Sequence, residues 1–229
     1  MSQKDYILRI AQELGSALAQ VLYNRQIKDY TAAHKLIDEQ SKQTFGMGIG
    51  FMRSVRDEIL LSMLSSFDRL DTEKCWLLAI LLKAEGDIYE DQGNASESYY
   101  SYIRSLNLFL EVLLLGTLSS DRSIAPEIDD LLSRLSDYDL PLRTKSLLFR
   151  YFDHTHEYAR AEDLLFEMLE ASGPNEDILA NGVSFYQQLL KKSDAALRAD
   201  HFTKEKVIEG LSQLEKLRNW VVATYPLDK

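Results

Sequence analysis

The sequence predicts an all-α protein, and three observations carry that reading. Only four prolines and ten glycines interrupt 229 residues. Apolar residues recur in steps of three and four, as on the buried stripe of an amphipathic helix. Where the stripes stop, helix stop and start signals stand, such as Gly93 followed by Asn94.

Taken in order, a first helix is expected over about 4–26, with Tyr6, Ile7, Ile10, Leu14, Ala17, Leu18 and Val21 inward. Asp29 is placed to cap a second over about 30–44, with Tyr30, Ala33, Leu36 and Ile37 inward. The segment FGMGIGF at 45–51 reads as a flexible joint. It is not a phosphate loop, because no strand precedes it and no Lys-Ser/Thr follows the glycines. A third helix is expected over about 50–66. Asp71 or Thr72 caps a fourth that ends at about Asp91.

Gly86 lies inside that fourth helix. A mid-helix glycine loses roughly 1 kcal/mol against alanine, which points to a neighbouring helix passing too close for a side chain. Gly93 stops the helix, Asn94 caps the next, and Glu97 three residues on suggests a capping box. That next helix carries Tyr99, Tyr102, Ile103, Leu106, Leu110 and Leu113. A join of two or three residues makes the two helices antiparallel neighbours. A polar loop over 116–125 leads to a short acidic helix from Pro126, read as a solvated face. Pro141 opens another helix, and His156 stands where a turn glycine is expected. Gly173-Pro174 breaks the chain before a helix over about 175–191. A weakly helical link over 192–202 and a last helix over about 203–222 follow.

Composition excludes several classes of function. The net charge of −10 argues against broad nucleic-acid binding. No apolar run reaches the ~18–20 residues of a membrane span, and the N-terminus carries Asp5 and Glu13 rather than a leader's apolar core. The single Cys75 leaves no internal disulfide framework and suits a cytoplasmic setting. Asp153-His154-Thr155-His156-Glu157 is the one cluster with metal-ligand residue types, and it lacks a recognised zinc spacing. No nucleophile elbow, Walker lysine or dinucleotide fingerprint occurs, so neither catalysis nor a cofactor nor a metal is expected.

Gly86, Tyr89, Gly93, Ser98, Tyr102, Ser105 and Leu106 sit at the offsets of a tetratricopeptide repeat, and the stretch Ala84–Leu106 resembles that family. Glu85 stands where the family prefers Leu, and Ser98 and Ser105 where it prefers Ala. The small residues Ala33, Ser98 and Ala161 lie 65 and 63 positions apart, which suggests a period of about 64 residues, near two repeat units. The whole chain also resembles a group of uncharacterised bacterial proteins of similar helical plan.

The resemblance implies a right-handed α-α superhelix, a tetratricopeptide-like solenoid of about nine to eleven helices. It would form a single domain over 1–229, with hairpins near 4–44, 71–116 and 141–172 and a helical cap over 174–222. It also implies a concave face lined by the first helix of each hairpin. Carried over by position, that face presents Leu18, Leu22, Arg25 and Gln26, then Ile80, Lys83, Asp87, Glu90 and Asp91, then Arg143, Ser146, Arg150 and Asp153. Lys83 fits the family's clamp for a terminal carboxylate, while Asp87 stands in place of its Asn. Lys83, Arg143 and Arg150 together suit an acidic segment. The expected function is a non-enzymatic scaffold that binds a protein or peptide partner; the alternative is a sensor of a small ligand or signalling peptide, with the glycine joint as its hinge. Trp220 and the first helix are candidate surfaces for a homodimer.

Overall fold

Helices form where the capping residues place them. The computed structural model describes residues 3–66, 69–116, 124–173, 175–198 and 202–224, with side chains between 12 and 220. The expected apolar positions Tyr6, Ile7, Ile10 and Val221, residues 117–123 of the polar loop, Pro174, His201 and the tail from Tyr225 lie outside the described side chains. The packing divides into two compact units, Met1–Asp139 and Leu140–Lys229, where the sequence reading draws one domain.

The first unit contains α1 (Gln3–Gln26), α2 (Tyr30–Phe45), α3 (Ile49–Ser54), α4 (Asp57–Met63), α5 (Thr72–Asp91), α6 (Ala95–Leu115) and α7 (Ala125–Arg134). Asp29 caps α2 through Ala32 N at 3.0 Å, Asp71 caps α5 through Lys74 N at 3.1 Å, and Asn94 caps α6 through Glu97 N at 3.3 Å. The core is the α5/α6 hairpin. Cys75, Leu78, Leu82 and Ile88 on α5 and Leu106, Phe109 and Leu110 on α6 are completely buried, each large apolar side chain contributing roughly 1.5–3 kcal/mol. Burial pushes the Cys75 thiol up to about 12. Helices α1 and α2 both pack on α5, and α7 packs on α6. Gly86 is explained by Tyr102: a Cβ added there would lie 2.5 Å from the ring's Cε1.

The expected helix over about 50–66 is instead two short ones. Val55 and Arg56 are extended, with ψ of 146° and 148°. The cause is Arg104 of α6, whose guanidinium donates to the Val55 carbonyl and pairs with Asp57. That carbonyl would otherwise accept the next helical N–H, so α6 supplies the bond that the break removes. Beyond α4 a two-residue antiparallel ladder, β1 (Ser65–Ser66) with β2 (Arg69–Leu70), turns the chain into α5.

The glycine joint is tied down from α2. Gly46 is left-handed (φ 76°) and donates to Lys42 O at 2.9 Å. Ser41 Oγ donates to Met47 O at 2.7 Å, and Asp38 Oδ1 accepts from Ile49 N at 3.0 Å.

The second unit contains α8 (Leu142–Thr155), α9 (Tyr158–Ser172), α10 (Glu176–Leu190), α11 (Asp194–Arg198) and α12 (Lys204–Thr224). Helices α8 and α9 pair, and α10 pairs with α12. Gly182 sits against Leu214 and Gly210 against Tyr186, so α10 and α12 run antiparallel. Their core includes Leu165, Leu179, Tyr186, Leu189, Phe202, Val207 and Leu214. Twelve helices are thus present among the described residues, because the third expected helix is split and the link over 192–202 holds α11. None is long and apolar enough to cross a membrane.

One turn is built three times. Lys28, Gly93 and His156 are left-handed, at φ 62°, 71° and 69°. The next residue's N–H reaches back to Asn24 O, Tyr89 O and Phe152 O, each at 2.8 Å. Five residues beyond each left-handed position, Ala33, Ser98 and Ala161 donate to Asp29 O, Asn94 O and Glu157 O, each at 3.1 Å. Side-chain bulk is excluded at those three buried positions, which explains the small residues spaced 65 and 63 apart in the sequence.

Candidate functional site

The helical period puts Lys83, Asp87, Glu90 and Asp91 on one side of α5, at i, i+4, i+7 and i+8. α1 brings Arg25 to that side, and α7 brings Glu127, Asp130 and Arg134. Arg25 pairs with Asp87 at 2.9 Å and Asp91 at 2.7 Å. Lys83 pairs with Glu127 at 2.5 Å and Asp130 at 2.8 Å. Arg134 pairs with Asp130 at 3.0 Å, with Asp87 at 3.5 Å and with Glu90.

Tyr102 closes the network from α6. Its hydroxyl lies 2.9 Å from Asp87 Oδ1 and 3.0 Å from Glu90 Oε2, and accepts from Arg134 at 3.0 Å. A phenol has one proton, so only one of the two carboxylates receives it at a time, and Arg134 stands beside both. Burial, then the Asp87 charge, pushes the Tyr102 phenol up, so it remains a donor. Burial works against the charged forms of Lys83 and Arg25, but their carboxylate partners outweigh it and raise both. At Asp130 burial is likewise outweighed, by Lys83 and Arg134, and its carboxyl is held below the ordinary range.

The structure therefore joins Lys83, Asp87 and Glu90 in one network. The Lys83 ammonium is matched by two carboxylates of α7, so it does not stand ready for an acidic segment. Arg143 and Arg150 lie on α8 of the second unit, Arg143 half-buried and Arg150 exposed.

Glu85 is the residue the sequence reading passed over, although its departure from the repeat pattern was the signal. It is 2% exposed. It accepts from Ser101 Oγ at 3.0 Å and faces Arg53 of α3 at 3.7 Å. Arg53 pairs with Glu97 at 2.6 Å and lies 5.0 Å from the centroid of the Tyr89 ring. Burial pushes the Glu85 carboxyl up against the pull of Arg53 and Ser101. The arrangement fastens α3 to the α5/α6 hairpin through one polar tether.

His154 and His156 are both exposed at the end of α8. Among the described residues no three His, Cys, Asp or Glu side chains converge to hold a metal.

No curated protein and no solved structure matches the chain. No tetratricopeptide family model matches it either. The model of a family of unknown function, DUF6483, matches residues 1–219. The chain belongs to that family.

Proposed function

We propose that the protein is a non-enzymatic, tetratricopeptide-like helical scaffold of the cytoplasm that binds a protein or peptide partner. The observation that carries this reading is the turn built three times, which gives the hairpins α1/α2, α5/α6 and α8/α9 one common geometry. Hairpins repeated in this way stack into solenoids, whose first helices line a binding face. On α1 that face holds Leu22, 53% exposed, beside Arg25. On α5 of the same unit the exposed Glu90 stands at its edge, Asp87 being held by Arg25, Tyr102 and Arg134. In the second unit the first helix, α8, carries the half-buried Arg143 and the exposed Arg150.

Lys83 is a poor place to test the reading, because reversing its charge beside Glu127 and Asp130 breaks the first unit. Leu22→Asp and Arg150→Glu alter exposed side chains instead. A partner captured by the wild-type chain is expected to be lost by at least about tenfold in one of them, the equivalent of 1.4 kcal/mol. Capture unchanged in both variants, with unchanged helix content, removes the proposed face. Light scattering tests whether the partner is a second copy, with the exposed Leu217 and Trp220 of α12 as the contact to substitute.

A further inference from the structure

We propose that a recess at the α8/α9 turn of the second unit binds a small organic acid: one carboxylate on a flat apolar body. The recess has a volume of about 570 Å³ and is lined by residues 155–158 together with Lys192, Ser193 and Ala196. That volume lies inside the range of about 300–1,000 Å³ typical of small-molecule sites.

Lys192 supplies the charge. It is half-buried and has no carboxylate within 4.0 Å among the described residues. Its ammonium stands 5.4 Å from the centroid of the buried Tyr158 ring. Six other partly or fully buried cations, Arg25, Arg53, Lys83, Arg104, Arg134 and Lys145, each hold a carboxylate, so Lys192 differs from them. The acids near Lys192 leave it available. Glu157 is engaged by Thr155 Oγ1 and by Arg160, both at 2.8 Å. Asp153 is half-buried and forms no ion pair with Lys192 within 4.0 Å; the two charges act on one another only from a distance.

His156 and Tyr158 supply the walls. Their rings lie 5.6 Å apart at 34° to one another. The backbone at His156 is left-handed, as it is at the equivalent positions Lys28 of the first hairpin and Gly93 of the central one. A side chain in that conformation costs about 1–2 kcal/mol over glycine, and here it sets an imidazole at the mouth of the recess. This inference stands apart from the scaffold reading and gives the alternative of a small-ligand sensor a physical location.

The test is an amide-detected NMR titration of the full chain with benzoate, neutral benzamide and inorganic phosphate. Benzoate is expected to give saturable shifts over 155–158 and 192–196, with benzamide and phosphate giving none. Lys192→Met should weaken benzoate by at least about tenfold, as loss of a hydrogen bond to a charged group does. His156→Gly should weaken it while leaving the fold at least as stable, a combination that a merely structural residue does not produce. The proposal is overturned if benzoate does not saturate by about 10 mM, if Lys192→Met binds it unchanged, or if phosphate binds as tightly.

Discussion

Each unit seats a tyrosine ring on a helical glycine and points the hydroxyl at a carboxylate. In the first, Tyr102 covers Gly86 and reaches Asp87 and Glu90. In the second, Tyr186 covers Gly210 and donates to Glu162 at 2.5 Å. The steric device is the same, and the electrostatic setting is opposite. Arg25 and Arg134 balance the carboxylates around Tyr102. At Glu162 burial pushes the carboxyl up, as do the more distant Asp163 and Glu209, against the Tyr186 hydrogen bond and the charge of Lys206. The first joint is a set of matched ion pairs, whereas at the second burial favours the neutral acid.

The largest expected effect tests the shared device. Tyr102→Ala and Tyr186→Ala should each destabilise their own unit by about 3–5 kcal/mol, as loss of a buried ring does. Hydrogen exchange of α5 and α10 amides reads each unit separately, and an effect confined to one tyrosine would break the parallel. Next, Tyr102→Phe should cost about 1.5–3 kcal/mol, the range for a hydrogen bond to a charged group, because it leaves two carboxylates and Arg134 without their bridge. Tyr186→Phe should cost less, since it strands a single acid whose charge is already disfavoured. Gly86→Ala and Gly210→Ala should fall at about 0–2 kcal/mol, the 1–3 kcal/mol of overpacking reduced by about 1 kcal/mol of helix propensity.

The smallest effects sharpen the contrast through pH. Glu162 has a folded pKa above its ordinary 4.5. As pH rises from 4.5 to that folded value, the unfolded chain gives up the proton first, so the second unit loses stability over that window. Asp130 has a folded pKa below its ordinary 3.8. Its contribution is present above 3.8 and is lost as pH falls through the folded value. Glu162→Gln should flatten the first profile and Asp130→Asn the second, as read by exchange across pH 3–7. Differences between wild type and these two variants that slope with the same sign would show that the electrostatic contrast is absent.

Local signals were legible in the sequence, and remote partners were not. Asp29, Asp71, Asn94 and Gly93 act within four residues of where they stand, and each does what its type suggests. Even the reason for Gly86 followed from helix propensity, with Tyr102 as its cause. The break at Val55 was not legible, because Arg104 makes it from 49 positions away. The same distance hid the fate of Lys83, Asp87 and Glu90. Periodicity shows that they share a face but not that α7 covers it with Glu127, Asp130 and Arg134. The acidic helix read as a solvated face keeps Asp129 exposed and turns Glu127 and Asp130 onto Lys83. Glu85 was visible as an anomaly, yet only the fold shows Ser101 and Arg53 around it.

Cys75 gives the first unit a clock. It is the single cysteine of the chain, fully enclosed by the α5/α6 hairpin, and its thiol titrates at about 12. An alkylating reagent consumes thiolate, which the closed hairpin neither forms nor exposes at neutral pH. Where the reagent reacts faster than the structure recloses, the rate at which the folded chain takes it up is the rate at which the packing around α5 opens to uncover Cys75. Because the chain has no second thiol to blur the count, one mass measurement against time records how often that hairpin opens.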